Sequence, residues 1–263
     1  NINIEGLFAD KIFEGKLNIE EENIDLAFNG NVNLADTLPV FDFSAQLKNA
    51  NLSNLQILKD RDSVIVSSDM KLAFRGDDID NGIGKIVLAN TVYKEGKSSF
   101  PIKNLTLNIS EEYNQRSLTL RSDIADADFN GKINFSHLPD AINKLMQNYL
   151  PSYAGDFKTE AVEKEPEIFE YTVRLKNTSL LSFLFVPKIH HESEILLSGN
   201  FNSTINSFVL NGTIPELFID SIKVHNIGIS AKSVAEEFHT QITASTVNIT
   251  DSVYLKNLNI TSQ

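Results

Sequence analysis

The chain has 263 residues, 35 acidic against 23 basic, for a formal charge of −12, and it contains neither cysteine nor tryptophan. Its long-range field repels phosphate backbones and anionic bilayer surfaces, which argues against a nucleic-acid partner; without thiols there is neither a disulfide framework nor a thiolate nucleophile. The longest apolar run is far short of the roughly 18 residues of a membrane-crossing helix, so the segment is expected to be soluble.

The first residue is Asn1, and strand-like alternation begins at once with Ile2 and Ile4, as expected of a piece of a longer protein. Ile24, Leu26, Phe28, Val32 and Leu34 share one parity, with Gly30 in the vacant place, while Asp25, Asn29, Asn31 and Asn33 hold the other. A period of two residues predicts a strand dry on one face and wet on the other. After a turn at Asp36 and Pro39, Phe41, Phe43, Ala45 and Leu47 resume the pattern in a second strand, expected to be antiparallel to the first. Val64, Val66, Met70, Leu72 and Phe74 follow, then a segment from Ile86 to Tyr93, then Leu105, Leu107 and Ile109, separated by the turn signals at 75–84 and 94–99. The pattern continues through Leu118, Leu120 and Ile124. A parity change near "ADAD" suggests a bulge before Phe129, Ile133 and Phe135.

Residues 136–153 break the rule. Leu138, Ile142, Leu145, Met146, Tyr149 and Leu150 lie on one helical stripe, Ser136 is placed to cap it and Pro151 to stop it. An amphipathic helix docked on the sheet as a plug or stiffener is expected there, followed by a charged linker at 154–167. Strands return at Phe169, Tyr171, Val173 and Leu175 and alternate through Ile195, Leu197, Phe201, Phe208, Leu210, Ile222, Val224, Ile242, Val253 and Leu255. The fold class read from this is all-β, an antiparallel sheet in two segments, 1–135 and 168–263, joined by the helix and linker at 136–167.

Two phrases recur. Apolar-Lys-Asn opens "LKNANL" at 47, "IKNLTL" at 102, "LKNTSL" at 175 and "LKNLNI" at 255, with "VHNIGI" at 224 as a variant; "FNGNVN" at 28 matches "FNGKIN" at 129, with "LSGNFN" at 197 as an echo. Uneven intervals make a loose array of hairpin units rather than a strict solenoid; Asn-rich wet faces and Asn-Gly turn chemistry are the plainer alternative, but matched inward parity after each phrase favours repeated units. The dry positions each forfeit roughly 1.5–3 kcal/mol if left in water. A second sheet, closure into a barrel, or acyl chains held in an open trough would each cover them. The absence of Trp and the prevalence of Leu, Ile, Val and Phe lean toward a trough.

Catalytic patterns are incomplete. "HHESEI" at 190–195 has Ile195 where a zinc-binding helix needs its second His, and an exposed turn is expected instead. "DDIDNG" at 77–82 puts Ile79 and Leu88 where a calcium loop needs oxygen ligands. "GIGKIV" at 82–87 lacks the third glycine of a dinucleotide site. Neither a nucleophile elbow nor a Walker loop occurs. The acidic pairs, such as Glu111 with Glu112, read as loop tips, and the sequons at Asn51, Asn104, Asn177 and Asn211 as wet-face composition. No enzyme activity, cofactor or metal is expected.

The stretch "GKLNI…ENIDLAFNGNVNLADTLPVFDFSAQLKNANLSNL" resembles the middle repeats of TamB-like proteins of the Bacteroidota, relatives of AsmA and of the bridge-like lipid-transfer proteins, most strongly over residues 1–60. The resemblance implies a long twisted antiparallel sheet curled like a taco in the periplasm, part of a protein anchored in the inner membrane and reaching a BamA-type protein of the outer membrane. It implies phospholipid transport between the membranes and outer-membrane biogenesis. The groove lining would be Ile24, Leu26, Phe28, Val32, Leu34, Phe41, Phe43, Leu47, Val64, Val66, Met70, Leu72, Phe74, Leu105, Leu107, Ile109, Leu118, Leu120, Phe129, Ile133, Phe135, Leu197, Phe201, Phe208, Leu210 and Ile242, with phospholipid acyl chains as the partner. Two other readings stay open: a scaffold for outer-membrane protein assembly by strand augmentation, and a closed β-sandwich acting as an adhesin or carbohydrate-binding module.

Overall fold

A computed structural model describes residues 1–61, 63–138, 140–141, 166–234, 237–250 and 252–262. The described chain is all-β, with one helix. The first strands are β1 (Ile2–Ala9), β2 (Ile12–Glu21), β3 (Ile24–Asn33), β4 (Val40–Asn51), β5 (Val64–Arg75), β6 (Ile83–Glu95), β7 (Ser98–Glu112) and β8 (Gln115–Ser122). After β9 (Ala125–Lys132) and β10 (Ile168–Leu175) come the helix α1 (Ser179–Phe185) and the short β11 (Ile189–His190). The chain then runs through β12 (Ile195–Asn202), β13 (Ser207–Ile219), β14 (Ile222–Val234), β15 (Glu237–Asn248) and β16 (Tyr254–Ser262).

Two compact units divide the chain, residues 1–110 with 119–123 and residues 111–118 with 124–263. In the first unit β1 to β7 pair antiparallel in sequence order. In the second, β9, β10, β12, β13, β14, β15 and β16 do the same, with β11 beside the end of β13. Neither ladder closes: β1 is an edge in its unit and β16 in its own.

Register turns the sequence alternation into rows that cross the strands. Phe13, Val32, Phe41 and Phe74 stand opposite one another in turn, as do Phe43, Leu72, Ile86 and Leu107. Directly opposed side chains share a face, so each row is one continuous apolar line.

The repeated Asn-Gly phrases are mid-strand, not turns. Gly30 lies opposite Phe43 and Gly131 opposite Phe169, while Gly199 of the fainter echo lies opposite Tyr171. A Cβ on Gly30 would stand 2.4 Å from the Asp42 carbonyl oxygen, and one on Gly131 would stand 2.2 Å from that of Ile168; φ at these glycines is +151° and +137°. Only glycine fits so close a strand, and the aromatic ring across from it fills the space a side chain would take.

The Lys-Asn phrases have a different role. Inward residues are three apart rather than two at Leu47–Ala50 on β4 and at Leu88–Thr91 and Ile102–Leu105, which lie side by side on β6 and β7. In the second unit the same step occurs at Ile214–Leu217, Val224–Ile227, Ala244–Val247 and Leu255–Leu258, so that Pro215, Asn226, Ser245 and Asn257 form a transverse line. Asn90, Asn226 and Asn257 take φ of 50–54°, a conformation Asn tolerates better than most residues. Side chains close the gaps: Asn90 and Gln46 donate to the Asp69 carboxylate at 2.8 and 3.2 Å, and the Lys103 and Asn104 amides donate to that of Asp123 at 3.1 and 3.2 Å. Each line restores the apolar face after a one-residue slip.

Three sequence expectations change, and a further one falls almost wholly outside the described residues. Leu34 is 49% exposed because β3 ends at Asn33, whose side chain accepts the Ala35 amide in a local turn. The parity change near "ADAD" is the gap between two strands, β8 ending at Ser122 and β9 starting at Ala125, rather than a bulge. The helix and linker expected over 136–167 lie almost wholly outside the described residues; at their start, Leu138 donates to the Asn134 carbonyl and packs with Ala141 against Phe201 and its neighbours. The described helix, α1, stands instead where "LKNTSL" suggested a strand unit.

Candidate apolar face

The candidate site is a sheet face rather than a pocket. In the first unit Ile24, Leu26, Phe28, Val32, Phe41, Phe43, Leu47, Val66, Met70, Leu72, Phe74, Leu105, Leu107 and Ile109 all fall on the cross-strand rows. Phe28 ties two rows together, its ring centroid 4.8 Å from Phe43 and 5.8 Å from Phe13. Phe28, Phe41, Phe43, Leu72, Phe74 and Leu107 are half-buried: neighbours flank them, yet they stay accessible from above. All strands of the unit belong to one ladder, so no second sheet among the described residues seals the face. Val64, by contrast, is fully buried at the start of β5, its amide donating to the Ser53 hydroxyl at 3.0 Å.

On β8, Leu118 is buried and Leu120 half-buried. In the second unit Ile133, Phe169 and Phe201 form a buried aromatic cluster with Phe129, Phe135, Tyr171 and Phe208 around it. Ile195, Ile214, Ile227 and Ala244 form another, bordered by Leu197, Val224 and Val247. Leu210 stands opposite Gly199 on the same face. Ile242 shares that parity, opposite Ile229 and Ile260, but is 39% exposed because only the edge strand β16 lies beyond it.

Polar groups interrupt the face at defined points, none of them apparent from alternation alone. The Ser68 and Thr91 hydroxyls, both buried, satisfy each other at 2.7 Å on the slip line. At the end of the rows Tyr93 donates to Glu95 at 2.6 Å and Arg61 reaches the same carboxylate at 2.8 Å. The Tyr93 hydrogen bond, with the Arg61 guanidinium, holds the Glu95 carboxyl below its ordinary range, and burial pushes the Tyr93 phenol up. Tyr171, donating to the Val209 carbonyl at 3.2 Å, is pushed up to about 12 by burial.

The opposite, polar face carries shallow open depressions of about 520 and 750 Å³ that share Asn29, Ser44, Lys71 and Val87. Of the "HHESEI" pair, His190 stacks on Phe218 with ring centroids 4.5 Å apart. His191 is half-buried, with Nδ1 2.6 Å from the Ser193 carbonyl, so it is not the open turn expected. No helix among the described residues is long and apolar enough to cross a membrane. No family model, no curated protein and no solved structure matches the chain.

Proposed function

We propose that the chain is a non-enzymatic segment of a lipid conduit, in which phospholipid acyl chains lie on the apolar rows and headgroups stay at the strand ends. One observation carries the reading: continuous rows such as Phe43–Leu72–Ile86–Leu107, half-buried and uncovered by any second layer of described strands. Each chain methylene moved from water onto such a face gains about 0.8 kcal/mol, and no polar clamp on the rows would fix one headgroup. The resemblance to TamB-like proteins supports a periplasmic setting, with traffic between inner and outer membranes, a role in outer-membrane biogenesis and a BamA-type partner for other parts of a longer chain.

The test is native mass spectrometry of the purified chain. Phospholipid should copurify, and Phe43→Asp with Leu72→Asp should abolish it while the polar-face control Asn31→Asp keeps it. Normal lipid stoichiometry in the double variant would overturn the reading.

A second reading, a scaffold that adds a partner's strand, is favoured by the β1 edge, where Ile2, Ile4, Leu7 and Phe8 are all exposed. Crosslinking from β1 to nascent barrel strands, with no lipid in the preparation, would select it.

A further inference from the structure

α1 leaves the ladder where β10 ends and returns where β13 ends. The Lys176 and Asn177 amides both donate to the Ile124 carbonyl, and the Asp220 amide donates to the Lys188 carbonyl at 2.9 Å. Residues 177–187 contain no charged side chain. Phe183 is 36% exposed, Phe185 73% and Val186 46%. Two further connections at the same strand ends, after β13 and after β15, expose Ile219, Ile249 and Val253. One rim of the second unit therefore presents large apolar side chains on three successive connections.

These side chains project from turns, a strand end and a short helix. Projecting apolar groups of this kind match a fluid apolar surface, which needs no shape complementarity. Lys176 pairs with Asp126 at 2.7 Å and Lys188 with Asp220 at 3.1 Å, while Glu192 and Glu194 add negative charge to the same connection, so the uncharged stretch 177–187 suits a bilayer without net negative charge rather than an anionic one. From the rim, Leu217, Val224 and Val247 pack against the cluster around Ile214 and Ile227.

We propose that this rim, with α1 as its lip, rests on a bilayer surface of zwitterionic phospholipid and inserts Phe183, Phe185 and Val186 among the acyl chains. The proposal rests on the conduit reading, for which it supplies the place where lipid passes between membrane and face.

The chain has no tryptophan, so Phe185→Trp gives a unique reporter. With phosphatidylcholine–phosphatidylethanolamine vesicles its emission should shift to the blue and be quenched by brominated acyl chains. Ile205→Trp, equally apolar and exposed at the opposite strand ends, should do neither. Without any Trp, Phe183→Ser with Phe185→Ser should weaken cosedimentation with these vesicles at least tenfold and leave copurifying lipid intact. An unchanged Phe185→Trp spectrum, equal shifts at both positions, or a blue shift that grows with protein concentration in the absence of lipid would each overturn the assignment. Vesicle binding through the rim by a chain that copurifies no lipid would sink the conduit reading and leave the rim standing.

Discussion

At Gly30 the backbone decides what the residue must be. A methyl group there would meet the Asp42 carbonyl oxygen and the Phe43 Cβ within 2.5 Å, at a φ that L residues rarely adopt. Gly30→Ala should therefore cost about 1–3 kcal/mol, read as a lower denaturant midpoint. Gly96 is the contrast: its φ is +57° and no atom lies within 4 Å of a Cβ built there, so Gly96→Asn should cost less than about 1 kcal/mol. Alternation in the sequence placed Phe41, Phe43 and Leu47 on one face, since a one-residue slip would expose all three. It also put Gly30 in the vacant inward place of its strand, but gave no hint of the ring that fills that place. The partner that explains it, Phe43, is fixed by a pairing between strands, and pairing is not encoded in local composition.

Along a whole strand, the slip lines matter more than any single contact. Deleting Asn90 would set Leu88 and Thr91 two residues apart, which keeps both inward against β5 but leaves β7 with one residue in excess at Lys103, so the first unit should stay folded with a lower denaturant midpoint. Asn90→Gly, which keeps the backbone conformation and the register on both sides, should lower the midpoint less, with denaturation distinguishing the two. The line is also pH-sensitive. Although burial pushes the Asp123 carboxyl up, the Lys103 and Asn104 amides outweigh it and hold the group below its ordinary value. A carboxyl depressed in the folded state stabilises above the unfolded-state value, and that contribution fades as pH falls through the folded one. Asp123→Asn should thus flatten the acid limb of the stability profile, measured by denaturation between neutral pH and pH 3. The recurrence of Lys-Asn was visible in the chain; its meaning was not, because left-handed φ and the three-residue step emerge only when adjacent strands are aligned. α1 escaped for a related reason: Leu180, Leu181, Phe183, Leu184 and Phe185 leave no polar stripe for a helical period to show.

For the molecule as a whole, the all-β antiparallel class was legible because one-sided alternation persists through most of the chain, whereas the partner of the apolar face is not encoded in parity. Exposed edges carry their own consequence. β1 offers unpaired backbone alongside Ile2, Ile4 and Phe8, a template for strands of another molecule. Analytical ultracentrifugation should show concentration-dependent association that Ile4→Lys reduces.

Because strand order follows chain order in the first unit, each strand from β2 to β7 finds its partner in the segment synthesised just before it. Growth can proceed by templated addition, each hairpin closing a short loop and handing a fresh edge to the next, as in assemblies whose energetics reduce to nearest-neighbour steps. Shortening the chain from its first strand should then erode stability in increments, one hairpin at a time, rather than abolishing it at a single cut.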